Sequence, residues 1–196
     1  SLHGANVEPP AYRAFVQVHV DAMSMAGMSW AVHTMPQMHV QGRNFLAWHR
    51  RFLGQFEQRL QKQMNSDAGV PYWDWITDPA IPQRLDLPAN DLLNRWSVTR
   101  EWNPAAMPAK QELDSVMAKT QFDLFQRRLE LGPHADVHIA IGGQNGTMDS
   151  ASSPADPIFW LHHANLDRLW VAWASQHPGV PPPNSDEVLL PPPLFG

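Results

Sequence analysis

Cysteine is absent from this chain of 196 residues. That excludes disulfides, thiolate metal sites and thiol nucleophiles together. The compartment stays open, because a protein of this size can fold without disulfides. Long apolar runs are lacking as well: none approaches the ~20 residues that cross a bilayer. No signal peptide is visible in a chain that begins at Ser1, which suits a processed product. Nor is charge of one sign concentrated anywhere. The formal charge of −5 comes from 19 acids against 14 Lys and Arg, with no basic stripe to neutralise phosphates, so nucleic acid is not an expected partner. What remains, at 43% hydrophobic residues, describes an ordinary soluble domain able to bury a core without staples.

Against these absences stand 10 His and 9 Trp. With no thiolate available, any metal site must use nitrogen and oxygen donors. Histidine is a costly way to fill a core but a good neutral ligand for copper, zinc or iron.

Hydrophobic periodicity places the histidines on helices. Residues 11–26 carry Tyr12, Phe15, Val16, His19, Val20 and Met23 on one face. A second helix is expected at 45–64, with Phe45, Trp48, His49, Phe52, Leu53, Phe56 and Leu60 as its buried stripe; Gly69-Val70-Pro71 is read as its stop. Residues 77–108, rich in Pro, Asn and Asp, read as a long loop with a short helix near 92–96. Helical pattern returns at 109–131, broken near Thr120, then at 133–141, closed by Gly142-Gly143, and finally at 157–176. The expected fold is mainly α: a helical bundle with long loops, which can build a metal site from facing helices. One domain is expected over 1–178, followed by a Pro-rich tail at 179–196 that lies extended over or away from it.

His134 and His138, four residues apart, present two imidazoles from one helical face. Ala135 follows His134 where a zinc protease would carry glutamate. His163 lies among Phe159, Trp160, Leu161, Leu166 and Trp170. Its neighbour His162 points some 100° away around the helix, so one of the two is expected as ligand and the other beside it. His49 shares a buried stripe with Phe45 and Phe52, a poor place for an unpaired imidazole. His39 precedes that helix in a loop, and His19 faces inward from the first. His3, His33 and His177 read as surface residues, although His33 rivals His19 as a ligand.

These features together resemble the type 3 copper proteins: tyrosinases, catechol oxidases and molluscan haemocyanins. The resemblance rests on Tyr12, Phe15, Val16 and His19, on Phe45-Leu46-Ala47-Trp48-His49-Arg50, and on Pro71-Tyr72-Trp73-Asp74-Trp75. Its most specific part runs from Asp156-Pro157-Ile158-Phe159-Trp160-Leu161-His162-His163 to Asp167-Arg168-Leu169-Trp170, taken with His134 and His138. It implies a four-helix bundle around two copper ions, with dioxygen as co-substrate and a small phenol as substrate oxidised to an ortho-quinone. One copper would take His19, His39 and His49, and the other His134, His138 and His163. His162 and Asp167 would then stand behind the ligands. The interval from His39 to His49 is longer than the family's. Glu130, four residues before His134, matches a glutamate that orients a water able to take a monophenol's proton. Strong monophenol hydroxylases carry Asn where this chain has Ala135, so diphenol oxidation is expected to exceed monophenol hydroxylation. The region from Asp149 and Ser150 to Ser153 would border the substrate entrance, small and polar. Relatives often carry a shielding domain or a copper-loading caddie partner. This chain stops soon after Pro191-Pro192-Pro193, so the expectation is either an open approach or a chain trimmed from a longer one. Haemocyanin-like dioxygen carriage is the alternative activity that the same ligands allow.

Overall fold

Aromatic side chains at helical spacing decide the architecture. In the computed structural model, which describes residues 10–24, 32–34, 44–87 and 90–180, seven α-helices and no strand occur among the described residues. They are α1 (Pro10–Ser24), α2 (Phe45–Met64), α3 (Asp91–Arg95), α4 (Lys110–Met117), α5 (Phe122–Leu129), α6 (Ala135–Gly142) and α7 (Ile158–Gln176). Of the expected tail, residues 181–196 lie outside the described residues.

Helices α2 and α7 form the spine. Phe56 and Trp160 stack at 3.7 Å with 9° between their planes, and Phe52 lies 4.9 Å from Trp160. α1 closes this end: Phe15 meets Phe56 edge-on at 5.4 Å, and the Tyr12 hydroxyl accepts the Trp160 indole N–H at 2.9 Å. At the other end of α7, Phe125 of α5 stacks on Trp173 at 4.5 Å. The Trp173 indole N–H donates to the Lys119 carbonyl at 2.6 Å, in the break between α4 and α5. Aromatic pairs of this kind add about 0.5–1.5 kcal/mol each beyond the area they bury.

Local chemistry sets the ends. α2 stops at Met64 because Asn65 turns left-handed (φ 49°) and returns its N–H to the Gln61 carbonyl, a conformation Asn tolerates. The helix thus ends where expected, but on Asn65 and not on Gly69-Val70-Pro71. Between α5 and α6 the chain passes through a wide turn at Glu130–His134, where Gly132 leaves helical geometry and Pro133 brings no N–H. Such wide turns recur at functional sites. Here the turn sets His134 at the head of α6. Gly143, at φ +58°, ends α6 as its sequence suggests.

Just ahead of α7, Asp156 Oδ1 accepts the Ile158 N–H at 3.0 Å. The same carboxylate takes two hydrogen bonds at 2.7 Å from the Arg100 guanidinium, with both side chains almost wholly buried. Arg100 also donates to the Leu85 carbonyl. The 77–108 stretch is thereby pinned to the helix that carries His162 and His163.

Candidate metal centre

Seven histidines converge inside the bundle as two groups. His19, His33 and His49 form one; His134, His138, His162 and His163 form the other. Within each group the ligating nitrogens lie within 4.8 Å of one another. The groups face each other, with His49 and His163 stacked at 4.2 Å. Phe45 and Phe159 are wedged among the rings: Phe45 lies 4.8 Å from His49 and 4.7 Å from His134, and Phe159 lies 4.1 Å from His163.

Four of the imidazoles are aimed by backbone carbonyls. Nδ1 of His19 meets the Ala151 oxygen at 2.7 Å, and that of His49 the Phe45 oxygen at 2.8 Å. Nδ1 of His134 meets the Glu130 oxygen at 2.9 Å, and that of His138 the Met148 oxygen at 2.5 Å. A carbonyl can only accept, so Nδ1 carries the proton in each neutral ring and Nε2 keeps a lone pair. Among the described residues, Nε2 of His19, His33, His49, His134 and His138 finds no hydrogen-bond partner, and neither ring nitrogen of His162 or His163 finds one. A buried polar atom left unpartnered costs about 1–3 kcal/mol. Clustered lone pairs of this kind fit bound cations, and a carbonyl behind the ring is how metal-bound histidines are held.

Burial keeps six of these rings neutral. It holds the His19 imidazole down at about 3, with His33 adding to the effect. His138 falls to about 4, again through burial first. His49, His134, His162 and His163 are pushed well below the ordinary histidine value by burial and then by neighbouring imidazoles. The donors are therefore ready at neutral pH without releasing protons. Among the described residues both groups consist of histidine alone, and such neutral donors would leave a bound ion its full charge, a donor set suited to copper.

The structure places the expected residues unevenly. It brings His19, His49, His134, His138 and His163 together. His162 is fully buried within the second group, its ring stacked 5.4 Å from His134. His39 lies outside the described residues. His33, read from sequence as a surface residue or a substitute for His19, instead joins His19 and His49 with its side chain 11% exposed. Its neighbours Val32 and Thr34 are buried. Asp167 does not reach the histidines: it pairs with Arg50 at 2.5 Å on the half-exposed seam of α2 and α7, where the Arg50 guanidinium lies 3.7 Å over Trp170.

Glu130 is buried, with both carboxylate oxygens bonded to Thr34. Ala135 opens α6 directly after His134. Asp149 and Ser150 are exposed on the turn between the two bracing carbonyls of Met148 and Ala151. Those braces escaped the sequence reading, since backbone oxygens carry no residue signature. His177 stands apart, stacked on Trp173.

A helical bundle enclosing two facing groups of histidines, each able to hold a metal ion, is an arrangement of the type 3 copper class. The sequence matches the model of the family described as the common central domain of tyrosinase, over residues 9–95 and 82–176. The chain belongs to the tyrosinase family. It is 32% identical to a tyrosinase of Streptomyces antibioticus, an alignment covering 70% of this chain and 65% of that protein. The chain thus spans just under two thirds of that relative's length. Among solved structures, a polyphenol oxidase variant from Thermothelomyces thermophila matches with a TM-score of 0.60 at 22% identity, over 90% of this chain and 62% of that one. A functional unit of octopus hemocyanin matches with a TM-score of 0.61 at 20% identity, over 89% and 53%. These two establish a shared fold. No helix among the described residues is long and apolar enough to cross a membrane.

Proposed function

We propose that this protein is a copper-dependent oxidase of small phenols, acting on ortho-diphenols in preference to monophenols. The observation that carries the proposal is the common aim of the imidazoles: Nδ1 tied outward to carbonyls, Nε2 turned inward without partners. His19, His33 and His49 would hold one copper. His134, His138 and His163 would hold the other, with His162 packed behind them. His163 is preferred over His162 because its ring lies against His49, between the groups.

A copper pair so held supplies the redox chemistry by which dioxygen converts two ortho-diphenols to two ortho-quinones and leaves as two waters. The chain's own part is placement. Phe45 and Phe159 pack against the rings, and the carbonyl braces fix each tautomer. Next to His134, Ala135 offers no amide to polarise a water, which supports the diphenol preference. Ala135→Asn is expected to raise monophenol turnover relative to catechol turnover; an unchanged ratio would count against the preference.

Anaerobic loading with Cu(I), admission of dioxygen and then addition of 4-tert-butylcatechol test the proposal. Two coppers per chain, a new near-ultraviolet absorption with dioxygen, and sustained oxygen uptake with the catechol are expected. The octopus hemocyanin unit with the same fold keeps a second reading in play, a dioxygen carrier. Reversible absorption without catechol turnover would favour that carrier.

A further inference from the structure

Glu130 is 3% exposed, and a buried carboxylate needs partners. Its Oε1 accepts the Thr34 N–H at 2.6 Å, and its Oε2 accepts the Thr34 hydroxyl at 2.6 Å. Oε1 also faces His33 Nδ1 at 3.6 Å. Meanwhile the backbone carbonyl of Glu130 receives the Nδ1–H of His134. One residue thus supports a histidine in each group, through its side chain in one case and its main chain in the other.

His33 differs from its companions in two ways. Residues 32–34 are not helical, so no helix ladder holds its backbone. And the group behind its ring is a carboxylate, whereas His19, His49, His134 and His138 are backed by neutral carbonyls. A carboxylate behind a metal-bound imidazole fixes its orientation and strengthens its donor nitrogen. We infer that Glu130 is a positioning residue, a clasp that grips Thr34 from both oxygens and thereby aims His33 at the first metal. This rests on the copper-pair reading above, and gives Glu130 work beyond orienting a water.

The test needs no turnover. Metal-free protein is titrated with Cu(I) under argon against a chromophoric chelator, which reads the affinity of each site. Glu130→Gln is expected to weaken one site roughly 10–100-fold while the other stays within about threefold. In a His138→Ala background, where the first group alone is intact, the same loss is expected. Thr34→Val keeps the N–H bond and loses the hydroxyl's, so it should lose part of this affinity, and Thr34→Ser should restore it. These two variants decide the matter if Glu130→Gln does not fold. Unchanged affinities in Glu130→Gln and Thr34→Val, with any defect confined to monophenol turnover, would overturn the clasp alone. Fewer than two coppers in the unsubstituted protein would overturn the copper-pair reading instead.

Discussion

Acidification of the metal-free protein puts the histidine site under direct strain. Burial holds His19 at about 3 and keeps His49, His134, His162 and His163 well below the ordinary value of 6.5. All five are buried. In the folded chain these rings stay neutral as the pH falls from 7 towards 5; in the unfolded chain they take up protons around 6.5. The unfolded state therefore binds more protons below 6.5, so stability is lost as pH falls through that value and is fully present above it. Going from pH 7 to 5.5 costs about 1 kcal/mol for each ring, or roughly 5–6 kcal/mol for the five. Since a domain is stable by only about 5–15 kcal/mol, an acid midpoint between about pH 4.5 and 5.5 is expected without metal. Bound copper competes with protons for the same lone pairs, so the loaded protein should unfold at least about one pH unit lower. Circular dichroism at 222 nm along a pH series, with and without copper, measures both midpoints. A metal-free protein that stays folded at pH 4, with the same midpoint as the loaded form, would refute the reasoning.

Other perturbations probe the scaffold. Arg100→Met leaves the Asp156 charge buried beside an apolar side chain; about 3–5 kcal/mol should be lost, read by calorimetry as a fall in Tm of roughly 6–20 °C. Gly142→Ala would place a methyl 2.4 Å from the Asp149 nitrogen, displacing the turn that presents the Met148 carbonyl to His138. Copper affinity should then fall roughly tenfold or more in a chelator competition. Phe56→Ala removes the ring stacked on Trp160 and should cost about 3–5 kcal/mol in urea unfolding. It lies away from the histidines, so copper stoichiometry is expected to stay at two.

The helices were legible because period and burial coincide: the stripe of Phe45, Trp48, His49, Phe52 and Phe56 is the buried face of α2. The break near Thr120 and the Gly142-Gly143 stop also appear where the pattern lapses. His134 and His138 were legible by spacing, and His163 by its apolar company. His33 was not, because a loop has no period and its inward aim depends on Glu130, 97 positions away in sequence. Asp167 misled for a related reason. Its place in a motif near His163 says nothing of direction, and the helix turns it towards Arg50.

The short stretch from Met148 to Ala151 has a practical consequence for redesign. Its backbone steadies His138 through one oxygen and His19 through another, while Asp149 and Ser150 between them look outward. Anyone reshaping this turn would also be shifting the two carbonyls that aim those imidazoles. Changes confined to the two outward side chains are therefore the safer library, and insertions there should be screened for metal content before they are screened for rate.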